Sequence, residues 1–304
     1  MSAGVESVTE QDIEYLRHGD RSFGLRLFRP EGRAAVPAII DVHGGCWTMS
    51  DRTTCYDRGR HLAGCGFAVA AVDFRHGDDG YPTSLVDINY AVRWIKAQAE
   101  KLGIDAGRVG LSGTSSGGHL AMLAAMRPDD PQFCALPLDG DAQVRCVAMS
   151  WPVINPLSRY RHALRSRAKA EPSAWAEHIP ELQERYWHDE ATMRTGNPVT
   201  MLESGESVVL PPAIWVQGRP DEPHDYLDPE SGQDKNEPER FADLYRRAGG
   251  DINVAYIDHS LRAGPASFEP LAEFFHEQLN QGPATDTSAV HDDTRPRGID
   301  KSPA

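Results

Sequence analysis

The chain has 304 residues and carries 31 Lys and Arg against 45 Asp and Glu, a formal net charge of −14. That balance argues against a nucleic-acid-binding surface and favours solubility, while saying little about fold. Apolar residues make up 40% of it, and no stretch approaches the roughly 20 consecutive apolar residues of a membrane span, so a soluble protein with no membrane partner is expected.

Residues 1–7 lack the basic region and apolar run of a secretory signal, which makes a cytoplasmic location the expectation. Cys46, Cys55, Cys65, Cys134 and Cys146 form an odd set without paired metal-ligand spacing. Reduced thiols fit that pattern better than a disulfide framework or a zinc site, and no structural metal is expected.

Apolar strand-like runs alternate with longer helical patterns, the mark of an α/β fold with a mostly parallel sheet covered on both faces. Residues 26–28 read as part of an early edge strand, 38–42 as the next strand and 67–73 as another. Val86, Ile88, Ala91, Val92 and Ile95 recur at helical spacing within a predicted helix over 85–102, and are core. Strands are predicted at 109–112 and 145–150. Over 151–208 the pattern loosens around prolines at 152, 156, 172, 180 and 198, which reads as a mainly helical cap inserted over the strand ends. Within it, Arg159, Arg161, Arg165, Arg167 and Lys169 form the one cationic stretch, either a solvated helix face or an attraction for a substrate carboxylate. The sheet resumes at 212–217 and 252–257, with helices near 237–248 and 267–279. One α/β domain, 1–150 plus 209–280, with 151–208 inserted in it, follows; 281–304, polar and aperiodic, reads as a disordered tail.

Gly113-Thr114-Ser115-Ser116-Gly117 lies between a strand-like run and a helix-like run, the strand–turn–helix context of a nucleophile elbow. The glycines remove side chains that would collide with neighbouring strand and helix. Ser115 would stand at a helix N-terminus, where backbone N–H groups and the helix dipole stabilise a developing anion. Upstream, the predicted strand 38–42 runs into His43-Gly44-Gly45-Cys46-Trp47, a loop able to turn backbone N–H groups toward a substrate carbonyl.

On these two strings the chain resembles the α/β-hydrolase superfamily, especially hormone-sensitive-lipase-like and bacterial feruloyl-esterase-like carboxylesterases. The resemblance implies an oxyanion hole from Gly45, Cys46 and Ser116, with Gly44 shaping the turn. It also implies a Ser, acid, His order along the chain, and a triad of Ser115, Asp221 and His259. Asp221 follows the apolar strand 212–217, with Glu222 and Asp225 as nearby rivals. His259 follows the strand 252–257, which favours it over His276, inside the last helix, and over His224, too close to the acid loop for the expected order. Trp47 and Trp151 are expected to bind substrate, with packing between cap and core as the competing role; Trp175 and Trp187 would line the cap.

The reading is a serine carboxylesterase cleaving esters of small or aromatic substrates through an acyl-enzyme, without a cofactor. An arylformamidase-like amidase of the same fold and a catalytically silent binding protein are the alternatives. The expected partner is a small-molecule ester or amide, and a homodimer is left open.

Overall fold

The computed structural model describes residues 7–280. Its strands are β1 (Val8–His18), β2 (Arg21–Pro30), β3 (Val36–Val42), β4 (Ala68–Val72), β5 (Ile104–Thr114), β6 (Val147–Ser150), β7 (Ala213–Arg219) and β8 (Ile252–Asp258). They form one eight-stranded sheet in the order β1-β2-β4-β3-β5-β6-β7-β8. β1 pairs antiparallel with β2 and β2 with β4, while every later pairing is parallel.

Strands β3 and β4 are buried at every residue, as a parallel sheet covered on both faces requires. Their alternate side chains enter opposite layers. Ala38, Ile40 and Val42 join the layer beneath the helices Thr83–Ala97, Ser116–Met126 and Glu237–Arg247, whereas Ile39 joins the one beneath Tyr56–Gly64 and Pro265–Asn280. This is the α/β-hydrolase arrangement expected from the sequence.

Two local expectations change. Residues 26–28 belong to β2, which is interior; the edge strand is β1, whose residues are mostly exposed. Its sequence, VTEQDIEYLRH, offers little apolar alternation, and it is held by its ladder with β2 and by the Arg26–Asp12 ion pair at 2.8 Å. The helix predicted over 85–102 divides at Gln98 into Thr83–Ala97 and Ala99–Leu102.

Between β6 and β7 lie the helices Pro156–Arg167, Ile179–Trp187, Glu190–Thr195 and Pro198–Ser204, with a short 3-10 turn at Ala174–Ala176. Pro156, Pro180 and Pro198 each occupy the first turn of one of them, where the missing N–H costs nothing. The side chains of Asn155, Asp189 and Asn197 cap three of these starts. The tail expected over 281–304 lies outside the described residues. No helix among the described residues is long and apolar enough to cross a membrane.

Candidate active site

Strand β5 ends at Thr114 and the next helix begins at Ser116, leaving Ser115 alone in the turn at φ 53°, ψ −121°. A serine holds so unfavourable a conformation only where its surroundings fix it. Here Ser115 N–H donates to Ser150 O at 3.0 Å, and Val153 N–H donates to Ser115 O at 3.1 Å. The flanking glycines permit the close packing: a Cβ on Gly117 would lie 2.3 Å from the carbonyl oxygens of both Val42 and His43, and one on Gly113 would lie 2.3 Å from Gly117 O.

The loop after β3 folds against this elbow. Gly45, Cys46 and Trp47 have φ of 108°, 55° and 60°, a tight curl closed by Thr48 and Met49 N–H groups donating to Gly45 O, each at 3.0 Å. At Gly44 a Cβ would come 2.9 Å from Thr114 O and 3.4 Å from Ser115 Cβ, so bare backbone presses on Ser115. Trp47 N–H donates to Ser116 Oγ at 3.1 Å, fastening loop to elbow. Gly44 and Ser116 thereby adjoin Ser115, and Gly45 shares a cavity with it. Ser115, Gly44, Gly45, Trp151 and Phe268 border a cavity of about 360 Å³.

The loop after β7 brings a carboxylate and an imidazole to Ser115. His224 and Asp225 N–H groups both donate to Asp221 O, at 3.1 and 2.8 Å, and this tight turn brings side chains three residues apart to one side. His224 Nδ1 lies 3.0 and 3.1 Å from the two Asp221 carboxylate oxygens, and its Nε2 lies 3.1 Å from Ser115 Oγ. The consistent tautomer has Nδ1–H donating to Asp221 and Nε2 accepting from the serine hydroxyl. Burial pushes the His224 pKa below the ordinary 6.5, against the opposing pull of Asp221, so the ring is neutral near pH 7. Burial would raise the Asp221 carboxyl, but the His224 hydrogen bond and the fields of His224, His259 and Arg262 outweigh it and hold the pKa low.

The structure brings Ser115 and Asp221 together through His224, the residue set aside on grounds of chain order. His259 follows β8 as expected, yet its contact is with the acid: Nδ1 stands 3.8 Å from Asp221 Oδ2 and has no hydrogen-bond partner among the described residues. Two imidazoles therefore flank one carboxylate, and the hydrogen bond to Ser115 Oγ is made by His224. The signal in the sequence was the Asp-x-x-His spacing across a Pro-containing turn. Of the rivals, Glu222 faces outward to Lys169 and Ser173, Asp225 pairs with Arg219, and His276 bonds Asn280 on the closing helix.

Trp151 borders the cavity, at φ 36°. Trp47 does not take the substrate-binding role expected of it. It is 2% exposed, its Nε1–H donates to His119 Nδ1 at 3.2 Å, and its ring meets Trp187 edge-on at 5.4 Å. The consecutive positive φ values at Cys46 and Trp47 turn this side chain into the seam between the inserted helices and the sheet, where Trp187 is also buried. Trp175 lies elsewhere in the insertion, stacked on His162 at 5.1 Å.

Comparison with known proteins agrees with this architecture. LipM of Mycobacterium tuberculosis, a probable carboxylic ester hydrolase, is 31% identical over 132 residues, 40% of this chain and 31% of that protein. An ethyl acetate hydrolase of Pseudomonas putida is 33% identical over 122 residues, 38% of this chain and 37% of that one. The matched region spans about a third of the length of these relatives. The thermophilic esterase Est2 of Thermogutta terrifontis has a TM-score of 0.63 at 21% identity, covering 88% of this chain and 91% of that one. The carboxylesterase EstE1, cloned from a metagenomic library, reaches 0.67 at 19% identity, covering 92% and 91%. At such identities the likeness to solved structures establishes the α/β-hydrolase fold. The BD-FAE family model matches residues 25–223, from β2 through the elbow to the Asp221 turn, and the chain belongs to that family.

Proposed function

We propose that the protein is a serine hydrolase that cleaves carboxylic esters of small molecules through an acyl-enzyme. The observation that carries this reading is the hydrogen-bonded series Ser115 Oγ, His224, Asp221 beside the Gly44–Gly45–Cys46 loop. The relatives named as ester hydrolases support the choice of ester substrates.

Ser115 Oγ attacks the ester carbonyl carbon while His224 Nε2 takes its proton, and Asp221 stabilises the imidazolium and fixes its tautomer. Charge gathers on the carbonyl oxygen, where N–H groups of the 44–46 loop and Ser116 receive it; one such donor is worth about 3 kcal/mol of barrier. The protonated His224 returns its proton to the departing alcohol. Water then attacks the acyl-enzyme by the reverse path, regenerating Ser115 and releasing the acid. The cavity of about 360 Å³ between Trp151 and Phe268 suits a small or aromatic group. An arylformamidase-like amidase would use the same atoms, and matched ester and amide substrates separate the two.

Fluorophosphonate labelling and turnover of 4-nitrophenyl acetate test the assignment. Ser115→Ala should abolish labelling, and Ser115→Ala and His224→Ala should each lower kcat by about 10³-fold or more. His259→Ala should lower it by less than about tenfold, since that ring reaches only the acid. A His259→Ala enzyme as dead as Ser115→Ala, beside a His224→Ala enzyme of near-parent activity, would transfer the base role to His259.

A further inference from the structure

The helix Pro156–Arg167 carries four arginines, and three have carboxylate partners. Arg161 pairs with Glu190 and Glu230, Arg165 with Glu230 and Asp228, and Arg167 with Glu181. Arg159 differs in both respects that matter. It is only 5% exposed, its Nε is buried without a hydrogen-bond partner, and no carboxylate among the described residues pairs with it. The ring of Trp175, 5.0 Å from its guanidinium carbon, gives partial compensation. A guanidinium taken out of water without a counter-ion is costly enough that such groups are nearly always paired.

Its location makes the missing partner informative. The segment leading into this helix is bound to the nucleophile, because Val153 N–H donates to Ser115 O. One turn beyond Arg159, His162 Nε2 lies 3.0 Å from Glu222 O, next to Asp221, and its ring stacks on Tyr226 at 3.9 Å. Arg159 therefore sits on the helix face that meets the acid–base loop. Its charge also acts on Cys46 of the glycine loop, on His224 and, across a longer gap than an ion pair, on Asp221. A planar guanidinium matches a carboxylate through two parallel N–H bonds.

We propose that Arg159 anchors the substrate: the ester cleaved at Ser115 carries a carboxylate, as a half-ester of a dicarboxylic acid or a hydroxy-acid ester does, and that carboxylate supplies the counter-ion Arg159 lacks. This rests on the reading of Ser115 as the nucleophile and goes further by naming the substrate class.

Proton-release titration of two matched pairs tests it. Monoethyl glutarate against ethyl pentanoate places the carboxylate on the acyl side, and acetoxyacetate against propyl acetate places it on the alcohol side. The wild-type enzyme should favour the charged member of one pair by about tenfold or more in kcat/KM. Arg159→Gln should erase that preference, chiefly through KM, and Arg159→Lys should restore part of it. No preference in either pair, or an equal loss on charged and neutral esters in Arg159→Gln, overturns the proposal. If Arg159→Gln fails to fold, Arg159→Lys carries the comparison, with a reduced preference expected and an undiminished one overturning it.

Calorimetric binding of glutarate to Ser115→Ala, and its loss in Ser115→Ala/Arg159→Gln, reads the anchor without turnover. Arg159-dependent glutarate binding with no hydrolysis of any ester leaves the anchor standing and removes the hydrolase reading. Hydrolysis of neutral esters with no glutarate binding does the reverse.

Discussion

Protonation of His224 would occupy the lone pair that accepts the Ser115 proton, so the reaction must fail as pH falls through the pKa of that ring. Burial lowers this pKa from the ordinary 6.5, and the neutral, competent form persists into mildly acidic solution. We expect the acid limb of kcat/KM for a neutral ester to lie below pH 6.5, as measured across a buffered series. A limb above that value would identify a base of raised pKa. At this scale Ser115 was legible because glycines two before and two after it leave few other structures open. The His224 contact was hidden because chain order points to the loop after β8, while a three-residue turn brings another imidazole to the same carboxylate. Trp47 was ambiguous for a different reason: nothing local says which way an aromatic beside a glycine loop points, and positive φ at two successive non-glycine residues decided it.

At the scale of elements, the close approach of the elbow helix to the end of β3 depends on Gly117. A methyl group there would meet two backbone carbonyls at 2.3 Å, and backbone cannot yield as a flexible side chain can. Gly117→Ala should destabilise the fold by about 3 kcal/mol or more, read as a lower urea midpoint, and should disorder the elbow before the rest of the sheet. An unchanged midpoint would mean that helix and strand can move apart. The interior strands were visible in sequence because burial on both faces demands unbroken apolar runs, as in β4, AVAAV. β1 was not visible, since an edge strand half in water can be polar and take its shape from a neighbour's ladder. The prolines over 151–208 also marked, less obviously, the first turns of three of the helices between β6 and β7.

For the molecule as a whole, enclosed imidazoles contribute to the response to acid, His43 and His119 among them. His43 stacks on Phe74 at 4.2 Å, and His119 lies between Trp47 Nε1 and Gly196 O; burial lowers both pKa values to about 4. An unfolded chain takes up protons at these positions near 6.5, whereas the native state refuses them until about 4. Stability from this source is complete above pH 6.5 and is lost as pH falls toward 4, so the urea midpoint should drop between pH 7.5 and pH 5. His119→Gln should make that drop shallower.

The insertion is fastened unevenly. On one side His119 bonds Gly196 O at 2.7 Å, Tyr81 N–H bonds Tyr186 O at 3.0 Å, and Trp47 is wedged against Trp187. On the other, the stretch before Trp175 is held by Lys169 and Ser173 reaching Glu222 through water-exposed contacts, which are individually weak. Amides of 168–178 should therefore exchange with deuterium well before those of 153–160 or 186–201, and equal protection would mean that both margins are held alike. Whatever freedom that tryptophan-bearing corner has, the backbone that shapes Ser115 is tied to the opposite, firmly held margin through Val153.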